Sequence, residues 1–344
     1  MKISIVPDQY GSQSYSSKWA LYLQKRGHQV NFVRFADQRF LEHIQDSDGL
    51  MWRSANNPDD KQKARRILYL VEKYLDIPVF PDNNTYWHYD DKVSQYYLFK
   101  ALDVPSPKTW LFWEKDQALQ WSEDAAYPVV HKLSVGAGSS NVSLIKSGDE
   151  AKQQIEIDFD GFIPGKIDIF PRNITRRNLS HIYKRAKHAM KYFAKGDYPP
   201  LPHNHWQPEK NYAYFQEFLP NNDFDIRVTI IGERAFVFRR WNRVGDFRAS
   251  GSGKLDYTIS AIGDRCIQIA FDISTKGAFQ CMAYDFLLDH DVPVVSEISY
   301  TFADQAVNNC SGYWDKKFIW HEGHIWPEEA QVDDFISGIE TKNH

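Results

Sequence analysis

Two carboxylates near the carboxyl end of the chain are spaced for joint work. Asp285 stands in Ala283-Tyr284-Asp285-Phe286-Leu287-Leu288, Glu297 in Val294-Val295-Ser296-Glu297-Ile298-Ser299, and Asp289-His290-Asp291-Val292-Pro293 between them reads as a turn. A hairpin centred on Asp291 sets Asp285 opposite Glu297, with Cβ atoms roughly 4.5–5.5 Å apart, and Ser299 shares the face of Glu297. Such a pair repels unless something positive lies between, and a hard dication shared with phosphate oxygens is one solution. Two other readings stand beside it. One acid could be an ordinary surface residue, or the two could be a glycosidase pair at roughly 5–10 Å, which gives the lysines and the glycine turn below no task.

Lys132 ends the run Pro128-Val129-Val130-His131-Lys132 and is followed by Gly136-Ala137-Gly138-Ser139-Ser140. Small residues let backbone N–H groups approach an anion, and the lysine adds a point charge. No GKS or GKT follows, so this is not the Walker pattern, and a plain turn is the competing reading. Phe215-Gln216-Glu217-Phe218-Leu219-Pro220 could seat a flat base on an apolar strand, and Asp225 could accept from ribose hydroxyls; the competing reading is an edge strand. Arg227, Arg239, Arg240, Arg243 and Arg248 follow. A transferring phosphoryl group needs fixed positive charge. Arg239 and Arg240 point to opposite faces of a strand, so only one can enter a given cleft, and solvated surface arginine is the default for each.

The elements that must position these residues read as follows. Residues 2–6 are a strand, Ser16 to Arg26 a helix with Trp19, Ala20, Leu21 and Leu23 on its apolar face, and Val30 to Phe35 a strand after Gly27. Leu50-Met51-Trp52, a helix from Pro58 to Leu75 and a strand Ile77 to Phe80 continue a parallel α/β unit over 1–90 without a GxGxxG. The loop Tyr10-Gly11-Ser12-Gln13-Ser14 is either a ligand loop or a polar surface loop, and Arg53 is either an anion anchor or, by default, a surface arginine. Asp91 caps a helix Lys92 to Leu102. Hairpins follow at Pro128 to Ile145 and at Asp225 to Trp241, and a helix within Ser274 to Leu288 runs into a strand. The tail after 327 looks polar and peripheral.

Composition closes off several classes. Forty-two per cent hydrophobic residues in 344 suit a buried core, and a net charge of -4 argues against nucleic acid. Three cysteines without a CxxC pair suggest neither a disulfide scaffold nor a thiolate metal site, and fit a reducing, cytoplasmic setting. The first residues lack a signal-peptide pattern, and no run is long enough to span a membrane. One stretch is locally basic: 171–195 carries Arg172, Arg176, Arg177, Lys184, Arg185, Lys187, Lys191 and Lys195 and no acid. It is either a solvated helix or a grip for an anionic acceptor.

The order of these pieces resembles the ATP-grasp superfamily, in its carboxylate–amine ligase branch with glutathione synthetase, D-alanine–D-alanine ligase and the ribosomal-protein glutamate ligases. The resemblance covers about residues 88–305 and rests on Asp91-Lys92, Pro128 to Lys132, Gly136 to Val142, Gln216 to Leu219, Asp225-Ile226-Arg227-Val228, Phe247-Arg248-Ala249-Ser250-Gly251 and Asp285 with Glu297-Ile298-Ser299. It implies α/β and α+β architecture: an N-terminal Rossmann-like domain over 1–90, the start of the ATP-grasp core over 91–127, a lid over 128–215 with a basic insertion at about 165–205, and the rest of the core over 216–330. It implies ATP held by Lys92, Lys132, Gly136, Gly138, Ser139, Ser140, Gln216, Glu217, Leu219 and Asp225. Catalytic arginines would be Arg227, Arg239 or Arg240, and Arg248. Asp285, Glu297 and Ser299 would hold Mg2+. Ser299 departs from the usual asparagine, leaving water, Asn308 or Asn309 to complete the shell. The implied reaction activates a small-molecule or peptide carboxylate as an acyl phosphate for attack by an amine. The rivals are a phosphotransferase acting on a hydroxyl, a nucleotide-binding protein without catalysis, and a polyanion-gripping module. An oligomer is compatible with all of these.

Overall fold

A computed structural model describes residues 1–8, 14–56, 58–136, 141–160, 210–243, 245, 253–258 and 263–342. The basic stretch 171–195, Gly138, Ser139, Ser140, Arg248 and residues 10–13 of the first loop lie outside them.

The amino-terminal part alternates strand and helix: β1 (Lys2–Val6), α1 (Tyr15–Lys25), β2 (Gln29–Phe32), α2 (Phe40–Ile44), β3 (Gly49–Trp52), α3 (Pro58–Tyr74) and β4 (Val79–Phe80). The four strands are parallel in the order β2-β1-β3-β4. In α1 the buried face is Ser16, Trp19, Ala20 and Leu23, a three-and-four spacing. Leu21 was expected on it but is 72% exposed, because it lies about 200° from Trp19 around the helix. Ser14 caps α1, its hydroxyl accepting from Ser17 N. Arg53 is not a surface arginine: it sits beside Asp8 at 4.0 Å and over the Tyr15 ring at 4.5 Å.

After α4 (Asn83–Tyr86) and α5 (Lys92–Leu102), a small antiparallel sheet forms from β5 (Thr109–Phe112), β6 (Val129–Lys132), β7 (Val142–Ile145) and β8 (Ala213–Glu217), in the order β5-β8-β6-β7. It packs on α6 (Lys115–Asp124) and α7 (Gly148–Asp160) around its own core of Ala118, Val129, Ile145, Ala151, Ile155, Ala213 and Phe215.

The third sheet has seven strands, β9 (Phe224–Ile231), β10 (Arg234–Trp241), β11 (Leu255–Asp256), β12 (Cys281–Asp289), β13 (Val292–Ser299), β14 (Gly312–Asp315) and β15 (Trp320–Glu322). Helix α8 (Asp264–Gly277) covers one face, where Ile226, Val228 and Ile230 are buried. Thus the helix expected within Ser274 to Leu288 begins ten residues earlier and the strand starts at Cys281.

The carboxyl end corrects the sequence reading most. After α9 (Asp304–Asn308), helix α10 (Pro327–Lys342) is not peripheral. Glu328, Gln331, Val332, Phe335, Ile336 and Ile339 are buried between the parallel sheet and the seven-stranded one. A Cβ on Gly49 would lie 2.8 Å from the Phe335 ring, so the helix and β3 approach as closely as glycine allows. Trp19 Nε1 donates to Gln331 Oε1 at 3.0 Å, and Tyr22 donates to Asp333 at 3.0 Å. The amino-terminal unit and the large sheet therefore share one continuous core.

Candidate functional site

The small and large sheets face each other across a cavity of about 280 Å³, with strands β6 and β8 on one side and β9, β10, β12 and β13 on the other. Lys92, Lys132, Gly136, Gln216, Glu217, Leu219, Asp223, Asp225, Arg240, Asp285 and Glu297 all line it. An adjoining hollow of about 190 Å³ shares Arg240, Asp285 and Glu297 and adds Asn56, Tyr89, Asp90, Arg227, Ser299 and Thr301. A further cavity of about 300 Å³ lies by Phe80, Phe279 and Phe335, but its Lys316 and Asp334 are paired with Glu233 and Arg234 and no cations converge there.

Strand register fixes the charged centre. Asp285 on β12 pairs with Arg227 on β9 and with Glu297 on β13. Arg227 makes two parallel hydrogen bonds to Asp285, 2.7 and 2.8 Å, the fork geometry that arginine gives a carboxylate. Arg240, directly across β9 from Asp225, donates to both Asp225 oxygens and reaches Asp285 Oδ2 at 2.7 Å. Burial alone would raise the Asp285 carboxyl, but Arg227 and then Arg240 hold it well below the carboxylate range. Arg239 turns to the other face, against Asp256 and the Phe224 and Trp241 rings. Of the two adjacent arginines, only Arg240 lines the cavity.

The lysines come from the opposite wall. Lys132, 8% exposed, donates to Gln216 Oε1 at 2.6 Å, and Gln216 Nε2 donates in turn to Thr109 at 3.1 Å. Burial lowers the Lys132 ammonium to about 8. Burial also works against Lys92, but Glu297 at 3.2 Å and Asp90 more than offset it and raise its pKa. Asp91, the cap of α5, accepts from Ser94 and Ser134, which holds Lys92 at the mouth of the glycine turn. Gly136, at φ 134, has given its N–H to Asp90 Oδ1 at 3.1 Å and accepts Lys92 Nζ at 3.3 Å.

Several sequence-derived roles meet competition. Asp225 has both oxygens bound by Arg240. Asp223, which sequence reasoning passed over, lines the same cavity, and among the described residues its carboxylate makes no ion pair; only its place two residues before Asp225 could have flagged it. Ser299 Oγ donates to Thr301 O at 2.9 Å, and Asn308 and Asn309 are absent from the described lining of both hollows. Among the described residues no three His, Cys, Asp or Glu side chains group as a metal site. The facing carboxylates Asp285 and Glu297 are donors of the type that fits magnesium, which needs only one or two carboxylates when phosphate and water supply the rest; Asp285 meets the same competition as Asp225, both its oxygens accepting from Arg227 and Oδ2 also reached by Arg240, and Glu297 is paired with Lys92. The arrangement suits a polyanion with a dication: four cations (Lys92, Lys132, Arg227, Arg240) stand among four buried or half-buried acids (Asp90, Asp225, Asp285, Glu297), and Lys132 makes no ion pair among the described residues.

No protein-family model matches the chain. A curated relative, the alpha-aminoadipate–LysW ligase LysX of Saccharolobus solfataricus, is 28% identical over 139 residues, which is 39% of this chain and 48% of the relative. The matched stretch thus spans about half the length of that relative. Among solved structures, a RimK domain ATP-grasp protein from Sphaerobacter thermophilus superposes with a TM-score of 0.57 at 13% identity, over 98% of this chain and 100% of that one. The D-alanine–D-alanine ligase of Bacillus anthracis, in complex with ATP, gives 0.55 at 9% identity over 99% of each chain. In the described residues no helix is long and apolar enough to cross a membrane. A parallel amino-terminal sheet, a small antiparallel sheet and a large one meeting over a cation-lined cavity, together with these likenesses over the whole length, establish that the chain has the ATP-grasp fold.

Proposed function

We propose that the chain is an ATP-dependent carboxylate–amine ligase acting on amino-acid-like or peptide substrates. The observation that carries this reading is the meeting in one cavity of two buried lysines with a carboxylate pair backed by two arginines. The base would lie along Gln216 to Leu219. Its ribose hydroxyls would meet Asp223, since Asp225 is spent on Arg240. Lys92 and Lys132 would hold the phosphates as point charges. Asp285 and Glu297 would hold Mg2+, which when bound offsets phosphate charge.

An oxygen of the substrate carboxylate attacks the γ-phosphorus, the bond to the β-phosphate oxygen breaks, and ADP leaves. The amine then attacks the acyl carbon, the C–O bond to phosphate breaks, and the proton lost by nitrogen goes to the departing phosphate or to water. Arg227 and Arg240 stand where charge gathers on the transferred group, fixed in advance by their carboxylate partners.

The test is ADP release from purified protein with ATP and Mg2+, against panels of acids and amines, with products identified by mass. Ligation predicts ADP and a condensed product only when acid and amine are both present. ADP with a phosphorylated hydroxyl compound and no need for an amine would replace the reading with a phosphotransferase.

A further inference from the structure

Lys61 is 5% exposed, on α3 of the amino-terminal unit, outside the residues assigned a task above. Its ammonium donates to Asp90 twice, to the backbone oxygen at 2.7 Å and to Oδ2 at 3.1 Å. Burial pulls its pKa down, against the raising effect of Asp90. The other oxygen of Asp90 accepts the Gly136 N–H, and the Gly136 carbonyl accepts Lys92. Asp90 itself has φ 45, a left-handed conformation that costs a non-glycine residue energy unless its surroundings impose it. So a buried lysine fixes a strained aspartate, and that aspartate fixes the peptide at which β6 leads into the glycine turn. Gly136 is pinned on both sides, next to Lys92 and in the same cavity as Lys132.

We propose that Lys61 and Asp90 are positioning residues for the phosphate end of the nucleotide site: the amino-terminal unit, through this pair, sets where Gly136 and Lys92 stand. The proposal rests on the nucleotide reading above and adds a route by which the amino-terminal unit tunes it. The pair touches neither base nor ribose residues, since Gln216 and Glu217 end β8 and 218–223 form the turn before β9. Its loss should therefore weaken ligands in proportion to their phosphates.

Removing one partner of a buried ion pair strands the other, whereas replacing both is often tolerated. The test is accordingly the double variant Lys61→Met/Asp90→Asn, with Asp90→Asn alone beside it, in full-length protein. Calorimetric titration with a non-hydrolysable ATP analogue plus Mg2+, and with AMP, is compared with wild type, and thermal unfolding is followed in parallel. The expected result is an analogue dissociation constant raised about tenfold by misplacement on the ångström scale, with AMP changed less than about twofold because its contacts are remote. Asp90→Asn, which keeps an oxygen for Gly136 but denies Lys61 its counter-charge, should shift the analogue in the same direction by less. An unchanged ratio of the two affinities, or equal weakening of both ligands, overturns the proposal. Wild-type protein that binds no nucleotide overturns the nucleotide reading itself, a separate result.

Discussion

Two buried charge clusters in this molecule are built to different balances. At the cavity, Lys92, Lys132, Arg227 and Arg240 face Asp225, Asp285 and Glu297, and the aspartates are bound in parallel pairs. At the junction of α1, α9 and α10, a single ammonium, Lys18, serves two acids, Asp304 and Glu328. Glu328 is 1% exposed there, and its Oε2 has no hydrogen-bond partner. In the first cluster Asp225, Asp285 and Glu297 each have a cation of their own, and Lys132 is held by Gln216 alone. The second is short of a cation, and burial pushes Glu328 up to about 7. A buried carboxylate with two arginines stays charged and orients them; one with a shared lysine becomes a proton acceptor.

The largest expected effect separates two neighbouring residues. Arg240→Met strands Asp225 and removes half the clamp on Asp285, so stability should fall by about 3–5 kcal/mol. Arg239→Met, one position along and on the other face, removes a half-buried pair with Asp256 and contacts on two rings and should cost about 1–2 kcal/mol. Urea unfolding of both variants measures the difference. Equal losses would mean that the cavity cluster is no more tightly built than the strand surface.

The alternation along β10 was legible in sequence, which is why one arginine of the pair was expected inside; which one was not, because period two fixes relation and not direction. The hairpin at Asp285 is more instructive. Its turn is not centred on Asp291: His290 and Asp291, at φ 46 and 65, form a two-residue turn, and Phe286 pairs with Val295. A register shift then inserts Ser296, so that Asp285 meets Glu297. Two departures from the simple hairpin cancel, and neither is written in residue types. Helix α10 was hidden for another reason: Glu328 and Gln331 interrupt its buried face and Asp333, Asp334 and Glu340 stand beside it, so local polarity masked a buried element. The link from Lys61 to Asp90 joins residues 29 apart, a distance no local pattern spans.

A smaller effect comes from Lys132, a cavity cation that makes no ion pair among the described residues. Burial depresses the folded pKa of Lys132 from the ordinary lysine value of 10.5 to about 8. Its positive form therefore costs stability at neutral pH, and that cost fades as pH rises from about 8 to 10.5. The shift corresponds to about 3 kcal/mol; leaving Gln216 Oε1 unpaired gives back about 1 kcal/mol. Lys132→Met should thus stabilise the ligand-free protein by about 2 kcal/mol at pH 7, while ATP-dependent turnover is lost. Thermal unfolding with and without nucleotide checks it. A variant that is less stable and still active would show that the charge is structural.

The least effect belongs to the cation-poor cluster. Glu328 has a folded pKa raised from 4.5 to about 7, so the protonated form favours the fold. Its contribution is complete below about pH 4.5 and is lost as pH climbs to about 7. Glu328→Gln keeps the shape and abolishes the titration. At pH 8 the variant should be more stable than wild type by about 1 kcal/mol, the relief of a buried charge less the weakened tie to Lys18. At pH 4.5 the advantage should vanish, because the wild-type carboxyl is then neutral as well. Unfolding curves at the two pH values decide it: an advantage that does not depend on pH would place the burden on packing, and a loss at pH 8 would mean that Lys18 satisfies Glu328 as fully as the arginines satisfy Asp285.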